Sequence, residues 1–137
     1  MILVDSNVLI DVLEMDAVWG GWSFRQLEDA AEIGPVAINH VVVAEVAPQF
    51  GALDVFLDRM KVMMIGIEPL TDAAAMAAGV AFRAYRARRS GAKSVLPDFL
   101  IGGHALTMGA TVLTRDPRFY VKYFPDLPLI TPETDNG

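Results

Sequence analysis

Four acidic residues stand out because of the places they occupy in the chain. Asp5 directly follows a short apolar run, and Asp116 lies two residues beyond another. Asp98 follows a proline at a predicted helix start, and Glu45 interrupts a valine-rich segment. Carboxylates brought together in this way bind hard divalent cations such as Mg²⁺ or Mn²⁺. Such ions polarise a phosphate and lower the pKa of water, so the chemistry indicated is phosphodiester hydrolysis.

The elements that must position these acids alternate between short strands and helices. Buried strands are predicted at Ile2–Val4, Val36–Ile38, Val62–Ile67 and Thr111–Thr114, with a weak last strand at Leu129–Ile130. Helices are predicted between them, one of them capped by Asn39 and another by Thr71 or Asp72. This order predicts one α/β domain, with a mostly parallel sheet covered by helices on both faces.

In a parallel sheet, ligands bind beyond the carboxyl ends of the strands, where all four acids are expected. Each acid also has a simpler interpretation. Asp5 is compatible with a turn, Asp98 with a first helical turn, Asp116 with a cap before Pro117, and Glu45 with a solvated position. Because one topology brings the four to one edge, a shared cation site is the stronger hypothesis, since close carboxylates repel one another without it.

Composition narrows the function classes. The 137 residues are 53% hydrophobic and include no cysteine and two histidines, which argues against disulfides and zinc–thiolate sites. Eleven basic and 17 acidic residues give a net charge of −6, so charge alone does not favour indiscriminate nucleic-acid binding. The longest uncharged run, from Phe99 to Thr114, is shorter than the roughly 20 residues of a spanning helix. No secretory signal is evident, and we expect a cytoplasmic protein.

Several segments together resemble a known family. They are Leu3-Val4-Asp5-Ser6-Asn7-Val8-Leu9-Ile10-Asp11, Ala44-Glu45-Val46, Leu96-Pro97-Asp98-Phe99-Leu100-Ile101 and Leu113-Thr114-Arg115-Asp116, with Arg118-Phe119-Tyr120 and Tyr123-Phe124-Pro125 near the end. In this order they resemble the PIN-domain nucleases, most closely the VapC-type toxins of toxin–antitoxin pairs.

The resemblance implies a five-stranded parallel sheet, a homodimer, Mg²⁺-dependent endoribonuclease activity and inhibition by a small protein antitoxin. It implies that the metal is held by Asp5, Glu45, Asp98 and Asp116. Thr114 would support the site through its hydroxyl, with Asn7 as a neighbour. The chain departs from many relatives after Asp116, where Pro117, Arg118 and Phe119 stand in place of a further acid. That departure leaves the number of metal ions, one or two, open.

Residues that could contact RNA or a partner form two groups. Basic residues cluster near the end of the long alanine-rich helix, and two more flank Asp116; the predicted RNA contacts are Arg86, Arg89, Arg115 and Arg118. An aromatic group could bind an antitoxin or anchor the core; it consists of Trp19, Trp22 and Phe24. His40 and His104 are interpreted as structural.

Two other functions remain open at this point. The chain could be a PIN-like module that binds RNA or protein without cleaving. It could also be a phosphatase with an aspartate nucleophile, because Asp5 follows a buried strand. Such phosphatases use a second aspartate two residues further on, where this chain has Asn7.

Overall fold

The computed structural model describes residues 1–88 and 96–133, which form an α/β structure. Its strands are β1 (Ile2–Val4), β2 (Val36–Asn39), β3 (Ile65–Glu68), β4 (Thr111–Leu113) and β5 (Leu129–Ile130). Its helices are α1 (Ser6–Leu13), α2 (Gly20–Ile33), α3 (His40–Val46), α4 (Leu53–Val62), α5 (Asp72–Arg88), α6 (Leu96–Met108) and α7 (Arg118–Tyr123), with a 3₁₀ turn at Ala47–Phe50. The alternation predicted from the sequence is confirmed.

The five strands form one parallel sheet in the order β3-β2-β1-β4-β5. From β1 the chain first builds β2 and β3 on one side and then crosses back to build β4 and β5 on the other. Because crossovers in parallel sheets are right-handed, the two halves carry their helices on opposite faces. The strand order therefore reverses between β1 and β4, and a crevice forms at the carboxyl ends of these two strands.

The central strands are apolar because both of their faces are covered. Leu3 and Val4 in β1, Ile38 in β2 and Leu113 in β4 are each 0% exposed. Continuous apolar runs of this kind are typical of parallel strands buried on both faces. Polar side chains appear where these strands end, with Asp5 after β1, Asn39 as the last residue of β2 and Thr114 after β4, and all three are buried.

Two helices begin at caps that the sequence predicts. The Oδ1 atom of Asn39 accepts hydrogen bonds from the backbone N–H groups of Val41 at 3.0 Å and Val42 at 3.3 Å, so Asn39 caps α3 as predicted. Thr71 caps α5 by accepting from the N–H of Ala74 at 3.1 Å.

The predicted start of the third strand at Val62 is wrong. Val62 is 80% exposed and is the last residue of α4, and β3 begins only at Ile65. A turn separates the two elements, with Met64 at a φ of 59°. The apolar run from Val62 to Ile67 thus spans a helix end, a turn and a strand, which hydrophobicity alone does not separate.

The sequence also predicts that the long alanine-rich helix stops at Ser90-Gly91 and that 132–137 form a loose tail. The first prediction lies outside the described residues, and of the tail only 132 and 133 are described. Pro132 and Glu133 are described, and the Glu133 N–H donates to Thr131 Oγ1 at 3.2 Å.

Helix α6 is held by two sets of contacts. Gly103 lies directly against the backbone of Ala78 in α5, and a Cβ atom built on Gly103 would stand 2.6 Å from the Ala78 nitrogen. Phe99 is fully buried among aromatic rings from α5, α7 and the residue after α7; these are Phe82, Tyr85, Phe119, Tyr123 and Phe124, with ring centroids 4.8–5.9 Å from that of Phe99. The start of α6, which carries Asp98, is thereby fixed relative to the sheet.

Within residues 1–88 and 96–133, no single helix is long and apolar enough to cross a membrane. One consecutive pair, His40–Phe50 and Leu53–Val62, passes that test on length and composition when taken together, and it is bent by 111° at its break.

Candidate functional site

Asp5 is the most enclosed acid at the carboxyl edge of the sheet. It follows β1, its backbone N–H donates to the Leu113 carbonyl at 2.9 Å, and the residue is only 5% exposed. Its Oδ2 atom accepts hydrogen bonds from the Thr114 hydroxyl at 2.9 Å and the Tyr120 hydroxyl at 3.0 Å. Burial raises the pKa of Asp5, and these hydrogen bonds oppose that shift.

Thr114 links β1 to the segment that follows β4. Its hydroxyl donates to Asp5 and accepts from Asn7 Nδ2 and from the Asp116 N–H, each at 3.2 Å. The other end of the Asn7 amide, Oδ1, accepts from the Arg115 N–H at 3.2 Å. Asn7 and Thr114 therefore lie beside Asp5, and they fix the backbone that carries Asp116.

Glu45 and Asp98 come from helices and approach the same edge. The pKa of Glu45 is raised by burial and by the charge of Asp5, while a hydrogen bond with Ser6 lowers it. The pKa of Asp98 is raised to about 6, first by burial and then by the charges of Asp5, Glu45 and Asp116. The four predicted acids thus lie within electrostatic range of one another, and their charges act together on Asp98.

Asp116 differs from the other three acids because it already has a cationic partner. Arg118 binds its carboxylate with Nε at 3.0 Å and with a terminal guanidinium nitrogen at 3.2 Å. The ion pair is solvent-exposed on both sides, and the Arg118 hydrogen bond lowers the pKa of Asp116. Of the four acids, Asp116 is therefore the one whose negative charge is already compensated without a metal ion.

The side chains as they stand do not form a closed metal cage. Among residues 1–88 and 96–133, no three histidine or acidic side chains are grouped closely enough to hold an ion. The donor set nevertheless fits a hard divalent cation. Close carboxylates repel one another and so raise each other's pKa, and a bound cation would offset that repulsion and stabilise their ionised forms.

Two features of this region were not predicted from the sequence. One is Tyr120, which is 1% exposed and places its hydroxyl on Asp5. The other is the ion pair between Asp11 and Arg115. The Nε atom of Arg115 donates to Asp11 Oδ2 at 2.8 Å, and the Ser23 hydroxyl donates to the same oxygen at 3.0 Å. The predicted phosphate contact Arg115 is therefore held by a buried acid from α1.

The three remaining predicted RNA contacts are Arg86, Arg118 and Arg89. Arg86 is exposed on α5, with its guanidinium carbon 5.9 Å from the centre of the Phe82 ring. Arg118 is the partner of Asp116, as described above. The prediction for Arg89 falls outside the described residues.

The structure separates the aromatic group predicted at the junction of α1 and α2. Trp19 and Trp22 are in edge contact, with ring centroids 6.2 Å apart, but they have different surroundings. Trp22 packs on the hydrophobic core, whereas the Trp19 ring lies 5.9 Å from the Arg115 guanidinium carbon. Phe24 is 51% exposed and lines a groove of about 300 Å³ with Val12 and Met15.

Both histidines have structural positions. His40 is the first residue of α3, and His104 is 1% exposed, with its Nδ1 atom 3.2 Å from Asn39 Nδ2. Burial lowers the pKa of His104, which favours the neutral ring that this contact requires as an acceptor.

We expect Tyr120→Phe to lower the free energy of unfolding by about 2 kcal/mol near neutral pH, because a buried carboxylate loses a charged hydrogen bond. The Tyr120 hydrogen bond lowers the pKa of Asp5, so its removal raises that pKa further. The destabilisation should therefore shrink as the pH falls and Asp5 becomes protonated. Urea denaturation at several pH values measures it.

The matched control is Tyr123→Phe on the same helix, where the ring packs against Phe99 but the hydroxyl is not on Asp5. A pH-independent loss in Tyr120→Phe equal to that of the control would contradict a charged hydrogen bond to Asp5.

A family model defines the class of protein to which this fold and site belong. The model of the PIN domain matches residues 2–125. The chain belongs to the PIN domain family, and the family resemblance read from its sequence is confirmed. No curated protein is similar enough in sequence to count as a match.

Solved structures with the same fold include a chain of a toxin–antitoxin complex from Klebsiella pneumoniae. VapBC2 from Rickettsia felis, bound to a promoter DNA fragment, matches with a TM-score of 0.69 at 20% identity, over 96% of this chain and 98% of that chain. FitAcB from Neisseria gonorrhoeae matches with a TM-score of 0.65 at 22% identity, over 98% and 100%. DNA-bound VapBC from Salmonella typhimurium matches with a TM-score of 0.68 at 18% identity, over 95% and 96%. At these identities the likeness is one of fold.

Proposed function

We propose that this protein is a Mg²⁺-dependent endoribonuclease that acts as the toxin of a toxin–antitoxin pair. The observation that carries the proposal is the raised pKa of Asp98, which three other acids of the same sheet edge produce together with burial. A structural cap or a solvated surface acid would not need to lie among three further carboxylates. Repulsion between these carboxylates lowers the stability of the folded chain unless a cation is bound among them.

The proposed ligands are Asp5, Glu45 and Asp98, with Asp116 on the side where Arg118 now binds. A divalent cation held there would polarise the scissile phosphate and lower the pKa of an attacking water. Thr114 and Tyr120 keep Asp5 in one orientation through their hydrogen bonds to Oδ2. Neither histidine is required as a general base, because His104 is buried against Asn39 and His40 begins α3.

Regulation by a small antitoxin is part of the proposal. It is supported by the resemblance of this chain to VapC-type toxins and by the fold that it shares with a chain of a toxin–antitoxin complex from Klebsiella pneumoniae. The surface that we assign to an antitoxin segment is the groove lined by Val12, Met15 and Phe24, where Met15 is 85% exposed. The homodimer also rests on the resemblance.

The alternative functions are less well supported. In an aspartate-nucleophile phosphatase the residue two positions after the nucleophile donates a proton to the leaving group. Here that residue is Asn7, whose amide is bound to Thr114 and to the Arg115 backbone. A binding module without cleavage would have no need to retain four acids at one edge.

The direct test is incubation of the purified protein with total RNA in Mg²⁺, and in EDTA as the control. We expect RNA fragments in Mg²⁺ and intact RNA in EDTA, because the cation supplies the nucleophile and the charge stabilisation. Single-stranded DNA and a phosphate monoester are run beside RNA. Binding of RNA without cleavage would favour the binding module, and hydrolysis of the monoester alone would favour the phosphatase.

A further inference from the structure

A second groove opens beside Asp116. It has a volume of about 370 Å³ and is lined by Trp19 from the end of the α1–α2 connection, by the segment from Arg115 to Arg118, and by Pro132 and Glu133 after β5. Three separate parts of the chain thus converge there. Because Asp116 lines the groove and is also one of the four acids, whatever occupies the groove lies next to Asp116.

The groove has one pre-oriented wall. Arg115 is clamped by Asp11, whose side chain is 3% exposed, and Ser23 donates to the same carboxylate. The guanidinium also lies over the Trp19 ring, which in turn makes edge contact with Trp22. Trp19 and Arg115 are therefore held before any ligand arrives, which reduces the entropy lost on binding.

The chemistry of the lining favours a nucleobase over a bare phosphate. Arg115 and Arg118 supply cationic donors, but Asp11 and Asp116 already pair with them, and Glu133 adds a further acceptor. The two cations and the two acids that line the groove balance each other, and Asp11 adds a negative charge from outside it, so the groove has donors and acceptors beside an aromatic ring but no excess positive charge. A base has a flat face and an edge that carries both donors and acceptors, and single-stranded RNA is recognised through such stacking and edge contacts.

We propose that this groove is a specificity subsite that binds one unpaired RNA base next to the cleaved bond, with Trp19 as its stacking platform. The inference rests on the proposed nuclease function and adds to it the part of the substrate that sets sequence preference. It also gives the Asp11–Arg115 ion pair a role, which is to hold the guanidinium against the Trp19 ring.

The test uses the fact that the chain has two tryptophans. In a Trp22→Phe, Asp5→Asn double variant, Trp19 is the sole indole and cleavage is suppressed. Short uridine oligonucleotides whose central base is A, C, G or U are titrated in Mg²⁺, with anisotropy of a labelled end reporting binding independently. We expect Trp19 fluorescence to be quenched on binding, with an affinity that depends on the central base. Saturated binding without a change in Trp19 fluorescence would overturn the inference.

Affinity measurements in the Asp5→Asn background provide the second arm. Stacking is lost in Trp19→Ala, so we expect about tenfold weaker binding, and Trp19→Phe should recover most of it. Equal affinity for all three side chains would overturn the subsite. If Trp19→Ala weakened only inhibition by a co-purified antitoxin, the groove would belong to the protein partner and the inference would be wrong.

Cleavage by the protein without the Asp5 substitution separates the two proposals. If it cleaves RNA and Trp19→Ala changes neither affinity nor the pattern of cut sites, the subsite fails and the nuclease assignment stands. If it neither binds nor cleaves RNA, both fail.

Discussion

Asp98→Asn should abolish RNA cleavage and, in metal-free buffer, make the protein more stable. The loss of cleavage is expected to be at least about a hundredfold, because a metal ligand contributes to several kcal/mol of transition-state stabilisation and each 1.4 kcal/mol is a factor of ten. The gain in stability follows from the pKa of about 6, which marks Asp98 as a carboxyl that the folded chain holds at a cost when it is ionised.

The pH dependence gives the sign of that gain. A carboxyl with a raised pKa binds a proton more tightly in the folded state, so stability falls as the pH rises from about 4 to about 6 and stays lower above it. Asparagine removes this charge. Because Asp98 is half-buried, solvent screening reduces the effect, and we expect the variant to be about 1 kcal/mol more stable near neutral pH and equal to wild type below about pH 4. Thermal unfolding in EDTA measures both limits.

Asp72→Asn is the matched control, because Asp72 also lies in the first turn of a helix, α5, but its charge is not among those that raise the pKa of Asp98. Removing its charge costs a few tenths of a kcal/mol through the helix dipole and should leave cleavage unchanged. Opposite signs of stability change in the two variants would separate electrostatic crowding from helix capping. Wild-type turnover by Asp98→Asn at low Mg²⁺ would contradict its assignment as a metal ligand.

The positions of the acids could be predicted because they depend on local patterns and on one topological rule. Asp5 follows an apolar strand, Asp98 lies in the first turn of a helix and Asp116 follows a strand, and each of these positions can be recognised from a few neighbouring residues. Parallel strands then bring their carboxyl ends to one edge whatever the details of packing. Glu45 is predicted to belong to the site because it is an acid in an otherwise valine-rich helix.

The supporting contacts could not be predicted, because they join residues that are far apart in the chain. Tyr120 and Asp5 are separated by 115 positions, and Arg115 and Asp11 by 104. A tyrosine in an aromatic helix predicts burial but not the partner of its hydroxyl. Likewise, an arginine next to a site acid predicts a phosphate contact, whereas the packing of α1 against the β4–α7 connection gives it a buried carboxylate instead.

Because α5 and α6 approach closely, we expect a large loss of stability when a side chain is added between them. Gly103→Ala should lower the free energy of unfolding by about 3 kcal/mol, because its Cβ would stand 2.6 Å from the Ala78 nitrogen and 2.9 Å from its Cα. These are backbone atoms, so the clash cannot be relieved by a rotamer change, and one helix must move. Since α6 carries Asp98 in its first turn, we expect cleavage to fall as well, and more Mg²⁺ to be needed for half-maximal rate.

Gly79→Ala separates this steric effect from the general effect of adding a methyl group to a helical glycine. Gly79 lies in α5 one residue from Ala78, and a Cβ built there meets nothing within 4 Å. Alanine is favoured over glycine in helices by about 1 kcal/mol, so this variant should be more stable than wild type, with its Mg²⁺ dependence unchanged. Thermal unfolding and Mg²⁺ titration of cleavage measure both variants. If the two changed stability in the same direction, the contact between Gly103 and Ala78 would not be what fixes α6, and the placement of Asp98 would depend on the aromatic rings around Phe99 instead.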